Sequence, residues 1–143
     1  MKVHEPSIDR GNILCFKLLD HIRIASENET DKEKLTMLLN ELTLFIHFHF
    51  RAEERLMLDA GYEGYDNHHA AHVNCMESLK DHMFDFSDDK IEEGAILDFT
   101  EEWLLKHISS HDRKFGFYMF YRASCASISN TVPCAVELFQ KKS

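Results

Sequence analysis

Three closely spaced pairs of metal-ligand residues constrain the fold of this chain more than any other feature. In two pairs the partners stand four residues apart, so both side chains project from one face of a helix, one turn above the other. In the third pair they stand five apart, roughly 140° around a regular helix, and meet at one interior point only if the carboxylate swings across. The pairs are His49 with Glu53, His68 with His72, and His107 with Asp112. Four imidazoles and two carboxylates on three helices indicate a nitrogen and oxygen site for one or two first-row transition metals.

The competing interpretation of these six residues is a buried polar network without a metal. Burying four imidazoles and two carboxylates in an apolar core is costly unless every polar atom is hydrogen-bonded or a cation is present. We therefore favour the metal site.

Composition and charge exclude several classes of function. The chain has 143 residues, of which 44% are hydrophobic and 29% charged, which is typical of one globular domain. Its formal net charge of -9 argues against nucleic acid and anionic membranes as partners. The N-terminal residues lack the apolar stretch of a secretory signal, and no apolar run approaches the ~20 residues that span a membrane. We therefore expect a cytoplasmic protein. The chain contains no Cys-x-x-Cys pair, so a thiolate zinc site, an iron–sulfur cluster and c-type haem attachment lack support.

Apolar periodicity predicts four long helices and few turns, in keeping with only five Gly and two Pro. The fold class is all-α: an up-down-up-down antiparallel four-helix bundle over residues 1–121, with a short C-terminal extension, residues 122–143. This tail either packs on the bundle, mediates a homodimer or leads to a partner domain. In the first helix we predict a core stripe of Ile13, Phe16, Leu19 and Ile24. A capping box at Thr30 to Glu33 begins the second helix, and Gly61 ends it. The third helix is predicted over about 64–86, and the fourth from Ser87 or Asp88 to about Tyr121.

The residues that flank the three pairs form longer motifs. They read His49-Phe-Arg-Ala-Glu53-Glu-Arg-Leu-Met57, then Gly61-Tyr62 before His68 and His72, and Trp103-Leu-Leu-Lys-His107-Ile before Asp112. From about Ile8 to about Tyr121 the chain resembles the hemerythrin family, in particular its bacterial hemerythrin-like domains. The resemblance implies a four-helix bundle with two iron ions, carboxylate-bridged and oxo- or hydroxo-bridged, that bind dioxygen reversibly.

The resemblance also implies a role for each candidate ligand. His68, His72 and His107 correspond to the three imidazoles on one iron, and His49 to an imidazole on the second iron. Glu53 and Asp112 correspond to the two bridging carboxylates.

One position departs from the family motif. The first helix of the family usually carries Ile-Asp-x-Gln-His, whose His is a second imidazole on the second iron, but here the segment ends in Gly11-Asn12. His21 cannot replace it, because nine residues on it points to the opposite face, and Cys15 is a less favoured substitute. We expect an under-coordinated, partly occupied second iron, with Asn12 hydrogen-bonded to a metal-bound water, since a neutral amide oxygen is a weak ligand for iron.

Other residues near the pairs are assigned by helical position. Phe45, Met57, Trp103 and Leu104 should line the metal pocket, a role compatible with plain core packing. The remaining histidines, His4, His21, His47, His69, His82 and His111, are expected on the surface or at the rim.

The leading function is a non-haem di-iron protein that binds or senses dioxygen or a related small anion, more an oxygen-binding protein than an enzyme. One alternative is a mononuclear iron or zinc interaction or sensor module, and another is a di-iron enzyme that reduces oxygen or peroxide. A ferritin-like enzyme is disfavoured, because no Glu is followed by His three residues later.

Overall fold

The computed structural model describes residue 3 and residues 5–126. Five α-helices account for most of this part of the chain, and a π-helical turn joins the last two into one continuous rod. They are α1 (Pro6–Glu27), α2 (Lys32–Asp59), α3 (Tyr65–Ser87), α4 (Glu93–His107), the π-helical turn (Ile108–Asp112) and α5 (Arg113–Ala126).

The helices form a closed four-helix bundle, which confirms the predicted all-α fold class. α1 packs against α2 and α4, and α3 packs against the same two helices, so sequence neighbours are also neighbours in space. The loops after α1, α2 and α3 are short, which makes consecutive helices antiparallel. None of the helices within the described residues is long and apolar enough to cross a membrane. The predicted tail lies outside the described residues, apart from α5, which continues past Tyr121 to Ala126.

The buried face of α1 differs from the predicted stripe. Ile13 and Ile24 are 52% and 58% exposed, so their assignment to the core was wrong, whereas Leu19 is buried and Phe16 is partly buried. The inward positions repeat every three or four residues on a face shifted by about one residue: Ile8, Asn12, Cys15, Leu19 and Ile22. The bundle therefore buries the amide of Asn12 in preference to the larger apolar neighbour at position 13.

The helix ends follow ordinary capping rules, with two corrections. Asp31 caps α2 by accepting a hydrogen bond from the Lys34 amide at 2.9 Å, so the cap is one residue later than the predicted Thr30. Gly61 ends α2 with φ +66°, as predicted, because glycine adopts this left-handed conformation without strain. The fourth helix begins at Glu93 and not at Ser87 or Asp88, because α3 continues to Ser87 and Asp89 turns the chain with φ +58°.

The π-helical turn changes the geometry of the third ligand pair. The Arg113 amide donates to the Ile108 carbonyl, five residues back, so this turn holds one residue more than an α-helical turn. Residues five apart then lie on the same side of the helix, and His107 Nε2 comes to 3.0 Å from Asp112 Oδ1. The π-helical backbone itself directs the Asp112 carboxylate toward the interior, so the side-chain swing expected for a regular α-helix is not needed.

Candidate metal centre

The six residues of the three pairs converge in the middle of the bundle. All six residues are buried, each at most 5% exposed. Five of them place one ligand-type atom within 4.8 Å of every other: Glu53, His68, His72, His107 and Asp112. His49 lies beside this cluster, on the side that faces α1.

The spacing of the imidazole nitrogens matches the edges of a metal coordination shell. His107 Nε2 lies 3.0 Å from His72 Nε2 and 3.0 Å from His68 Nε2. Two donors that are each about 2.1 Å from a metal and at right angles to one another are about 3.0 Å apart. Two of the three separations among these imidazoles, hereafter the three-imidazole position, are therefore those expected around one metal ion.

Glu53 directs one carboxylate oxygen to each half of the site. Oε2 lies 3.2 Å from His68 Nε2 and 3.0 Å from His72 Nε2, in the three-imidazole position. Oε1 lies 3.2 Å from His49 Nε2. The two oxygens of one carboxylate thus face two different imidazole groups.

Asp112 is divided between the two halves in the same way. Its Oδ1 lies 3.1 Å from His68 Nε2 and 3.0 Å from His107 Nε2, whereas its Oδ2 lies 3.4 Å from Asn12 Nδ2. Asn12 is 3% exposed, and its Oδ1 lies 2.9 Å from His49 Nε2. The structure therefore places Asn12 beside His49 inside the site, and we call this pair the His49 position.

The hydrogen bonding of the cluster is incomplete in a way that a cation would satisfy. Glu53 Oε1 and Asp112 Oδ1 are buried and accept no hydrogen bond, and the Nε2 atoms of three imidazoles point at one another. A neutral imidazole carries only one N–H, so such a group of acceptors cannot satisfy itself. The donor set of nitrogens and carboxylate oxygens fits a first-row transition metal.

Comparison with known proteins agrees with this geometry. The model of the Hemerythrin HHE cation binding domain matches residues 7–116. The chain belongs to the hemerythrin family. It is 30% identical over 86 residues to myohemerythrin of Theromyzon tessulatum, across 60% of this chain and 67% of that protein. It is 31% identical over 97 residues to bacteriohemerythrin of Clostridium acetobutylicum, across 64% of this chain and 74% of that protein. The chain has no significant match among solved structures.

The hemerythrin domain buries a further carboxylate beside the cluster, which sequence reasoning missed. Glu54 is 5% exposed, and its Oε2 accepts a hydrogen bond from His72 Nδ1 at 2.8 Å, while its Oε1 lies 3.0 Å from His69 Nδ1. A carboxylate that holds one imidazole nitrogen fixes the ring and leaves the other nitrogen, Nε2, as the metal donor. No signal in the sequence distinguished Glu54 from the other charged residues of α2, because its partners His69 and His72 lie on α3.

We expect Glu54→Gln to weaken metal binding at the three-imidazole position by roughly 10–100-fold, the usual effect of losing a carboxylate behind a histidine ligand. A chelator competition titration with Zn²⁺ measures this change, and Glu41→Gln, an exposed carboxylate on the same helix, is the matched control. Equal affinities in the two variants would show that Glu54 does not orient His72.

The electrostatics of the metal-free site stabilise ionised carboxylates beside imidazoles. Burial raises the pKa of Glu53, but hydrogen bonds from the surrounding histidines outweigh it and hold that pKa well below its ordinary value. Burial lowers the pKa of His107, yet its contacts with Asp112 and Glu53 prevail and raise it to about 9. Burial dominates at His72, whose pKa is lowered. Without a metal, a proton therefore resides on His107 at neutral pH.

Aromatic rings form one wall of the site. The Phe50 ring stacks on the His72 ring at 3.9 Å between centroids, and Trp103 stacks on His107 at 4.4 Å. Phe50, which sequence reasoning did not single out, also contacts Trp103 at 5.3 Å. Trp103 thus stacks on a candidate ligand, and its role in lining a metal pocket stays a prediction. Met57 and Leu104 are buried and Phe45 is partly buried in the adjoining core, where pocket lining stays a prediction for all three.

Two of the histidines expected on the surface or at the rim lie beside the site. His69 contacts Glu54, and the His111 ring stacks on His107 at 5.1 Å between centroids. His111 and His68 also lie at an open cleft of about 670 Å³. His21 and His47 are exposed, and His4 lies outside the described residues.

Cys15 is buried on the same face of α1 as Asn12. Burial, together with the charges of Glu53 and Asp112, raises the pKa of its thiol to about 12. Without a metal the thiol therefore stays protonated, and the lower rank of Cys15 as a substitute for the missing histidine stays a prediction.

Proposed function

We propose that this chain is a non-haem di-iron protein that binds or senses dioxygen or a related small ligand. The supporting observation is the division of two buried carboxylates between two halves of one site. Glu53 and Asp112 each direct one oxygen toward the three-imidazole position and the other toward the His49 position. Carboxylates arranged in this way are suited to bridge two cations.

The residues of the three-imidazole position would hold one iron, with three nitrogens and two carboxylate oxygens. The His49 position would hold the second iron with one imidazole fewer than the hemerythrin motif provides. Bound iron would supply the redox chemistry and bind the small ligand. Glu54 would orient the His72 ring. Phe50 and Trp103 would form an apolar wall that limits the access of water and protons to the site.

The smaller number of imidazole donors at the His49 position favours sensing or oxygen reduction over long-lived oxygen carriage. An iron held by fewer imidazoles dissociates more readily and offers a place for an additional exogenous ligand. A second candidate, a mononuclear iron or zinc module, is favoured by one observation: the five clustered ligand atoms could hold one metal ion without His49.

Anaerobic purification followed by metal counting and spectroscopy tests the proposal. We expect two irons per chain, with charge-transfer bands that change on exposure to air and again on addition of azide. A zinc-loaded sample is the control, because zinc has no such bands. One metal ion per chain without ligand-dependent bands would favour the mononuclear module, and no bound metal would contradict both candidates.

A further inference from the structure

We propose that the open cleft beside α3 binds a phosphate group, carried on a small organic molecule or free in solution. The cleft lies between α3 and the segment formed by the π-helical turn and α5, and its volume is about 670 Å³. The side chains that carry this inference lie outside the metal cluster, so it goes beyond the proposed di-iron function and does not depend on it.

The two walls of the cleft are helix faces that do not fill the space between them. The wall from α3 consists of small or polar residues that recur every three or four positions: Asn67, Ala70, Ala71 and Asn74. The other wall carries Arg113 and Lys114 of α5. The alanine side chains do not reach across, and the remaining volume falls within the roughly 300–1,000 Å³ that is usual for small-molecule sites. An inorganic phosphate ion would fill only a small part of this volume, which favours an organic phosphate.

The charge of the cleft is opposite in sign to that of the whole chain. The sequence has 25 acidic and 16 basic residues, but none of the described acidic residues lines the cleft, whereas Arg113 and Lys114 do. The ion pairs of the described lysines and arginines are formed by others: Arg23, Lys32, Arg51 and Lys90. The Arg113 guanidinium instead lies over the Phe117 ring, 5.5 Å from its centroid. Two neighbouring cations without a carboxylate partner suit a phosphate, with its nearly double negative charge, more than a singly charged carboxylate.

Hydrogen-bond donors face the cleft from both walls. The exposed amides of Asn67 and Asn74 supply N–H groups from α3, opposite the two cations of α5. Ser110 adds no donor, because its hydroxyl already donates to the Lys106 carbonyl at 2.6 Å. A phosphate group has three strong acceptor oxygens, so it can be held from both walls at once. The competing interpretation is an ordinary solvated groove in which these side chains bind nothing.

The cleft adjoins the metal cluster. His68 lines the cleft, and its Nε2 lies 3.2 Å from Glu53 Oε2 within the cluster. His111 lines the cleft as well, and its ring stacks on His107 at 5.1 Å between centroids. A molecule bound in the cleft would therefore lie next to the three-imidazole position.

Isothermal titration calorimetry on the full-length chain at low ionic strength tests the inference. The probes are inorganic phosphate, adenosine monophosphate and, as a singly charged control, acetate. The chain is titrated both zinc-loaded and metal-free, after removal of the chelator, so that phosphate bound directly to a metal is recognised. We expect saturable binding of a phosphate probe to both preparations and no comparable binding of acetate.

Matched variants locate the bound phosphate. Arg113→Gln should weaken its binding roughly tenfold or more, because it removes a hydrogen bond to a charged group. Lys17→Gln is the control, since Lys17 is exposed on α1 away from the cleft and its loss changes the net charge equally. Ala70→Phe keeps every charge but occupies the cleft, so it should also weaken the binding of adenosine monophosphate. Circular dichroism establishes that each variant and the metal-free chain are folded.

The outcomes identify the occupant or overturn the inference. Tighter binding of adenosine monophosphate than of phosphate identifies an organic phosphate, and equal or weaker binding identifies the free ion. Absence of binding, equal binding by Arg113→Gln and Lys17→Gln, or acetate bound as tightly as phosphate would overturn the inference. Binding to the zinc-loaded chain alone would assign the phosphate to the metal and would also overturn it. None of these results alters the metal count and spectra that test the di-iron function.

Discussion

His72→Ala should lose bound metal and stability together. The substitution removes one of three imidazole donors, and it leaves Glu53 Oε2 without its contact at 3.0 Å and Glu54 without its hydrogen bond at 2.8 Å. It also opens a cavity against the Phe50 ring, which stacks on His72. We expect a larger loss of metal affinity than the roughly 10–100-fold assigned to a residue behind a ligand. The buried carboxylates that the metal neutralised are then uncompensated, so folding should weaken by about 2–4 kcal/mol.

Metal content by elemental analysis and unfolding midpoints of loaded and metal-free samples measure these effects. His47→Ala is the matched control, because His47 is exposed on α2 and should change neither quantity. Comparison of the metal-free samples isolates the packing loss, and comparison of the loaded samples adds the metal. Full metal content with an unchanged midpoint in His72→Ala would show that His72 is not a ligand.

Helical spacing was sufficient to predict where the first two ligand pairs lie. Residues four apart share one helix face whatever the rest of the chain does, so His49 with Glu53 and His68 with His72 could be placed from sequence alone. The resemblance to the family motif, and not helical spacing, placed Asn12 near the second metal position, and the structure has its Oδ1 2.9 Å from His49 Nε2. The all-α bundle fold followed from the length and number of the segments that show helical apolar periodicity.

Features that depend on tertiary packing could not be predicted in this way. The π-helical turn between His107 and Asp112 has no marker in the residue order, since its cost is balanced only once both side chains reach the site. Glu54 appeared to be one of several charges on α2 until α3 placed His69 and His72 against it. Ile13 was assigned to the core because it is apolar, but the bundle rotates α1 so that a polar amide is buried and Ile13 is exposed.

Metal binding and metal-free stability should respond to pH in opposite directions. In the metal-free site the pKa of His107 is raised from its ordinary 6.5 to about 9, because the contacts with Asp112 and Glu53 outweigh burial. A metal ion must displace that proton, so the apparent affinity for Zn²⁺ should rise up to about tenfold per pH unit between pH 7 and 9 and level off above. Chelator competition at each pH measures this, with the chelator's own protonation taken into account.

The stability of the metal-free chain should fall over the same interval. A group whose pKa is higher in the folded state binds more protons there, so its contribution is complete below pH 6.5 and is lost as the pH rises through about 9. The pKa of His68 is raised as well and acts with the same sign. Urea unfolding of the metal-free chain at pH 6.5 and at pH 9.5 measures the loss, and His107→Gln, which cannot titrate, should reduce it. A metal-free chain equally stable at both pH values would contradict the protonated His107, and the rise in metal affinity would then need another proton donor within the site.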